Sequence, residues 1–136
     1  MHDPLPQLPG YALRRAANAA STELSARLAP LSLRQVDASV LVLIDANPGI
    51  TASALGRQLD IQRANMVPLL NRLELAGLLA RAPLDRKSQG LHLTQAGETR
   101  LAEARAVIER FEAELIARVP DEHRPHLLPA LHALWR

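Results

Sequence analysis

The sequence predicts a mainly α-helical, α+β fold with one small β-hairpin set among helices. Three observations point there. Ala and Leu supply most of the 48% apolar content, while aromatics make up only 2%, a balance that favours helices over strands. Apolar residues recur at steps of three and four along most of the 136 residues, the spacing of one helix face. Only two short stretches, 78–82 and 90–93, read as strands, and a polar loop rich in turn formers separates them.

The elements follow in order. Pro4, Pro6, Pro9 and Gly10 predict an extended lead-in. It has no apolar stretch of the kind a signal peptide needs. A first helix is expected from Tyr11 to Leu28, with Leu13, Ala17, Ala20, Leu24 and Leu28 on one face and Pro30 beyond its end. Ser32 is placed to cap a second helix, Leu33 to Ala46, that buries Val36, Val40, Leu43 and Ile44. Asn47-Pro48-Gly49 stops it. Thr51 caps a short third helix containing Ala54, Leu55 and Leu59, and Asp60-Ile61 makes a tight corner. A fourth helix spans Gln62 to Ala76, with Gly77 at the C-cap position. Its apolar stripe is Met66, Leu69, Leu70 and Leu73. After the two strands, Thr94 caps a long helix from Gln95 to Arg118. Leu101, Ala104, Ile108, Phe111 and Leu115 form a heptad-like seam along it. A last segment starts at Pro120-Asp121, and Pro125 and Pro129 shorten or kink it.

Charge is unevenly placed. The whole chain carries +2, yet residues 57–87 alone carry a net +3. Arg outnumbers Lys by 15 to 1, and Arg suits bidentate contact with phosphate and guanine. A basic stretch on a near-neutral body implies a polyanion partner at one place. The chain has no Cys, which excludes disulfides, thiolate metal sites and cysteine nucleophiles and fits a cytoplasmic protein. No apolar run reaches the roughly 18 residues needed to cross a bilayer. Nothing in the chain matches a phosphate-cradling Gly loop, a nucleophile elbow or a dinucleotide fingerprint, so no enzyme activity and no cofactor are expected. Glu122, His123, His126 and His132 lie near one another in sequence. Pro125 and Pro129 disturb helical ligand spacing there, so surface or capping histidines are preferred to a metal site.

Two modest helices, a tight corner, a C-cap Gly and then strand, basic loop, strand give the plan of a winged helix-turn-helix. The residues also resemble the MarR family of bacterial transcription regulators. The resemblance rests on Pro48-Gly49-Ile50-Thr51, Leu55-Gly56-Arg57-Gln58-Leu59 and the run from Ile61 to Glu74. It continues through Gly77-Leu78-Leu79-Ala80-Arg81, Asp85-Arg86-Lys87 and Leu93-Thr94-Gln95-Ala96-Gly97. It implies a single domain over 1–136, with a winged helix-turn-helix at 51–94 and dimerisation helices at 11–30 and 95–136. It further implies a homodimeric repressor that binds a palindromic operator in double-stranded DNA and responds to a small aromatic or acidic effector. By position, Gln62, Arg63, Ala64, Asn65, Val67 and Pro68 would lie at the major groove, with Asn71 and Arg72 at its edge. Arg86 would enter the minor groove, Asp85 would orient it, and Lys87 would meet phosphate. Tyr11, Arg14, Arg15 and Arg34 are possible effector neighbours. Two features depart from the family pattern: Pro68 inside the reading helix, and a wing about two residues short.

Blander readings stand beside these. The Gln62–Arg72 face taken alone reads as an ordinary solvated helix face, and the corner, Gly77 and the basic loop tip it toward DNA contact. The Leu101–Leu115 seam reads as dimer core rather than intramolecular core, because unpartnered terminal helices would expose an apolar stripe. A winged-helix protein-interaction module is the alternative function.

Overall fold

The computed structural model describes residues 1–136. Its elements run α1 (Pro9–Leu28), α2 (Gln35–Ala46), α3 (Ala52–Leu59), α4 (Arg63–Leu75), β1 (Leu79–Pro83), β2 (Gln89–Leu93), α5 (Gln95–Ala117) and α6 (Arg124–His132). The chain divides into two compact units. One is Ser25–Arg105, and the other joins Met1–Leu24 to Ala106–Arg136. The division falls inside α1 and α5. No helix is long and apolar enough to cross a membrane.

In the 25–105 unit, Leu28, Val40, Leu41, Ile44, Leu55, Met66, Leu70, Leu73, Leu79 and Leu91 are each at most 2% exposed. Val40 and Ile44 are buried as α2's period requires, whereas Val36 and Leu43 are only half-buried. Asp37 and Leu41, absent from the expected set, are fully buried. The start of α2 also differs from expectation. Ser32, in the left-handed region at φ 55, closes the preceding 3-10 turn Ala29–Leu31, its N–H donating to Ala29 O at 2.9 Å, and does not cap α2. The helix begins two residues later, where the Asp37 carboxylate accepts the Arg34 N–H at 2.7 Å. A charged acceptor in the first turn satisfies an orphan N–H and also complements the helix dipole.

The hairpin is antiparallel, with register from Leu79↔Leu93 to Pro83↔Gln89. Pro83 and Gln89 therefore belong to the strands, and the loop contracts to residues 84–88. The α2–α3 connection pairs with the far edge of β2: Gly49 N donates to Leu91 O at 2.9 Å and Leu91 N to Ile50 O at 2.8 Å. A single bridged residue leaves no periodic trace in sequence.

The start of α5 explains the Leu-Thr-x-x-Gly signature. Thr94 Oγ1 accepts the Gly97 N–H at 3.0 Å, while its hydroxyl donates to Gly77 O. A Cβ on Gly97 would lie 1.9 Å from the Leu78 carbonyl oxygen. That approach of backbone to backbone admits only glycine. Leu101 and Ala104 are then 3% and 0% exposed within this chain alone. The first part of the expected dimer seam is thus intramolecular core, because α5 starts against the hairpin. Arg100 ties the same stretch to Leu31 O at 2.6 Å, and Arg105 ties it to Asp45 at 2.6 Å.

In the other unit the lead-in is shorter than expected. A 3-10 turn spans Leu5–Gln7, and α1 already starts at Pro9. Proline suits a first helical turn, where its missing N–H has no partner to lose and its φ is already helical. Phe111 is buried, and Ile108 and Leu115 are half-buried. Arg118 makes a bidentate pair with Glu23 at 2.8 and 2.9 Å. The Arg124 guanidinium caps the end of α5, donating to the carbonyls of Ile116, Ala117 and Val119 at 3.1, 2.8 and 2.8 Å. Pro125 falls in the first turn of α6 and Pro129 inside it, and the helix spans nine residues.

Candidate nucleic-acid interface

The face is built by α3, α4 and the hairpin, all within the 25–105 unit. Thr51 Oγ1 accepts Ala54 N–H at 3.2 Å and fixes the start of α3. Asp60, in the left-handed region at φ 53, turns the chain. Ile61 N then donates to Gly56 O at 2.8 Å. A Cβ on Gly56 would come within 3.0 Å of Ile61 O and 3.2 Å of Met66, so glycine lets the corner close. Gln62 holds the N-cap position of α4 without a side-chain hydrogen bond. At the other end Gly77, with φ 77, releases the chain toward β1.

The α4 stripe is buried as its period requires: Met66, Leu69, Leu70 and Leu73 are all 8% exposed or less. The opposite side, carrying Gln62, Arg63, Ala64, Asn65, Val67, Pro68 and Asn71, faces solvent. α4 continues through Pro68. The Ala64 carbonyl loses its helical donor there, and Ala64 is exposed, so water can replace the bond and limit the cost.

An open cleft of about 760 Å³ lies between α3, α4 and the hairpin. Arg57, Arg63, Arg81 and Lys87 line it, with Asp60 the single acid among its walls. A concave surface with that balance of charge concentrates a polyanion. Arg57, held by Ser53 Oγ at 2.9 Å, was counted in the basic stretch but not as a site residue. Its position four residues after Ser53 was the available signal.

Two expected site residues take other roles. Arg72, though its side chain is 39% exposed, is engaged within the chain. Its guanidinium clasps the fully buried Asp37 carboxylate at 3.1 and 2.5 Å. Hydrogen bonding to Asp37 raises its pKa, burial opposes that, and the charge of Asp37 adds to it. The cause is the unforeseen burial of Asp37, which leaves a carboxylate needing a cation. Asp85 likewise does not reach an arginine. Its Oδ1 accepts Lys87 N, Ser88 N and Ser88 Oγ at 2.8, 2.9 and 2.9 Å. These bonds hold its carboxyl below the ordinary carboxylate value, with the Lys87 N–H as the largest cause. Asp85 therefore shapes the loop backbone, which presents Arg86 and Lys87 exposed at the tip. A five-residue loop closed this tightly accounts for the short wing.

Helix, corner, helix, hairpin and a basic cleft between them define a winged helix-turn-helix protein. The MarR family model matches residues 31–88. A transcriptional repressor of Mycobacterium tuberculosis, Rv2887, is 30% identical over 112 residues, which are 81% of this chain and 81% of that protein. The regulatory protein assigned to the hcr operon of Thauera aromatica is 35% identical over 99 residues, 71% of this chain and 60% of the relative's length. The repressor CouR bound to a 23-mer DNA duplex has 37% identity and a TM-score of 0.90, covering 97% of this chain and 95% of that one. CouR bound to p-coumaroyl-CoA has 33% identity and a TM-score of 0.84, covering 98% and 96%. This chain belongs to the MarR family of winged-helix transcription regulators.

Proposed function

We propose that this chain is a cytoplasmic, ligand-responsive transcriptional repressor that binds a palindromic operator in double-stranded DNA as a homodimer. The exposed face of α4 beside the basic cleft carries this reading, and the likeness to CouR on DNA supports it. Gln62, Arg63, Ala64, Asn65, Val67 and Pro68 are the candidate groove contacts. Arg63 and Asn65 have base-edge hydrogen-bonding chemistry, and Val67, 50% exposed, suits a thymine methyl. Arg86 and Lys87 are the wing contacts, joined by Arg57, while Arg72 and Asp85 hold the framework.

Residues 51–94 are assigned to reading DNA and the terminal helices to dimerisation. Leu8, Leu128, Leu134 and Trp135 are 54–69% exposed in the single chain. A second copy would cover such apolar surface. Two-fold symmetry places half-sites about one helical turn, roughly 10 bp, apart. For the effector, we assign a small aromatic acid or its thioester, following the p-coumaroyl-CoA complex of CouR. Arg14 and Arg15 lie 5.4 and 5.9 Å from the Tyr11 ring, a pairing of cations with an aromatic that suits such a ligand. Arg34 is a further candidate.

The test is a gel-shift titration on the promoter DNA flanking its own coding region, with aromatic acids and their CoA thioesters as competitors. Specific complexes that dissolve on adding one such compound are expected, and no specific complex at moderate salt would sink the proposal. A protein-interaction module of the same fold would show no steep loss of DNA affinity with salt, because only phosphate contact releases counterions.

A further inference from the structure

Arg81, on β1, turns its side chain back onto the solvent-facing side of α4. Its Nε donates to Glu74 Oε2 at 3.0 Å and its terminal nitrogen to Asn71 Oδ1 at 3.0 Å. A guanidinium has donors only, so the amide edge that meets it must be the oxygen. This settles which way Asn71 points on chemical grounds. Asn71 is exposed and lines the basic cleft, and its remaining end is Nδ2 with two donors. Glu74 pairs with the Arg81 cation at 3.0 Å.

An Asn that reads adenine uses both ends of its amide, accepting from N6 and donating to N7. Here the oxygen is already engaged, and an incoming exocyclic amine would share it with a cation. We infer that Arg81 is a positioning residue that turns the Nδ2 edge of Asn71 outward as a donor contact, directed at a hydrogen-bond acceptor on DNA (a phosphate oxygen, or N7 of a purine) rather than at the bidentate edge of adenine. This inference rests on the DNA-binding reading.

The test is a double-mutant cycle read by fluorescence anisotropy on a duplex from the chain's own promoter region. Arg81→Ala and Asn71→Ala should each lose about tenfold in affinity, the worth of one charge-assisted hydrogen bond. The double variant should lose no more than either single one, because the two residues act as a unit. Arg81→Ala should keep the wild-type salt slope, whereas a direct phosphate contact would lower it by about 0.9. Arg81→Lys, which retains a donor for the amide, should recover part of the loss and keeps the test open if Arg81→Ala folds poorly. Methylphosphonate and 7-deazapurine substitutions separate the two acceptors: the advantage of wild type over Asn71→Ala should vanish on one of them. Additive losses with a shallower slope, or an advantage that vanishes when adenine is replaced by a purine without the 6-amino group, overturn the inference. A wild type that binds no DNA overturns the repressor reading itself.

Discussion

Replacing Arg72 with Ala strips both guanidinium donors from a carboxylate that is 0% exposed. Asp37 Oδ1 is left without its partner, and Oδ2 keeps only the Arg34 N–H. Breaking one side of a fully buried pair costs about 3–5 kcal/mol. The Arg72 side chain is 39% exposed, so solvent screens part of the attraction. We therefore expect a loss of about 2–3 kcal/mol, below the fully buried range. Urea unfolding followed by circular dichroism checks this, with both proteins at one concentration because a dimer's stability depends on it. The raised pKa of Arg72 sets the pH behaviour. A cation with a raised folded value contributes fully below its unfolded value and loses that contribution only as pH climbs through the raised one. The difference between the proteins should thus be flat from neutrality to about pH 10, below the reference guanidinium range. The double variant Asp37→Leu/Arg72→Met should regain much of the loss, since apolar replacement of a buried pair is often neutral. A loss under about 0.5 kcal/mol, the scale of an ordinary surface change, would refute the reasoning.

Other outcomes follow from the same geometry. Gly97→Ala sets a Cβ against the Leu78 carbonyl oxygen at 1.9 Å, and thermal melts should show loss of more than about 4 kcal/mol or no cooperative fold; a melt like wild type would disprove the close approach. Pro68→Ala restores a donor to the Ala64 carbonyl and should raise stability by about 1–3 kcal/mol in urea; a lower midpoint would mean that the proline ring packs favourably. The Asp85 carboxyl, depressed by loop hydrogen bonds, should hold the loop above its ordinary value of 3.8 and release it as pH falls through the lower folded one. Amide NMR signals of Lys87 and Ser88 should report that release, and signals that do not move would contradict it. Arg86→Ala should weaken binding on all sequences and lower the salt slope by about 0.9; an unchanged slope would remove Arg86 from the interface.

Much of this architecture was legible in the residues. The α4 stripe appeared at its full period, the Thr51 and Thr94 caps fell where expected, and Gly77 marked the helix end. These are local decisions, set by side-chain periodicity and by donors and acceptors within a few residues. The α2 start was not legible, because Ser32 and Asp37 compete for the same role and burial of Asp37 decides it. The roles of Arg72 and Arg81 were not legible either. Each depends on a partner in another element, 35 residues away for Asp37 and 10 for Asn71.

The same division holds for the winged helix-turn-helix as a whole. The order of its parts and its surplus of positive charge are properties of the chain, because turn chemistry and helix periodicity act locally. Which cations remain free to meet DNA was decided only by the fold. Tertiary packing buried Asp37 and so drew Arg72 inward, and it brought β1 beside α4 and so tied Arg81 to Asn71. A charge's availability depends on what the folded chain places next to it, and no local pattern records that.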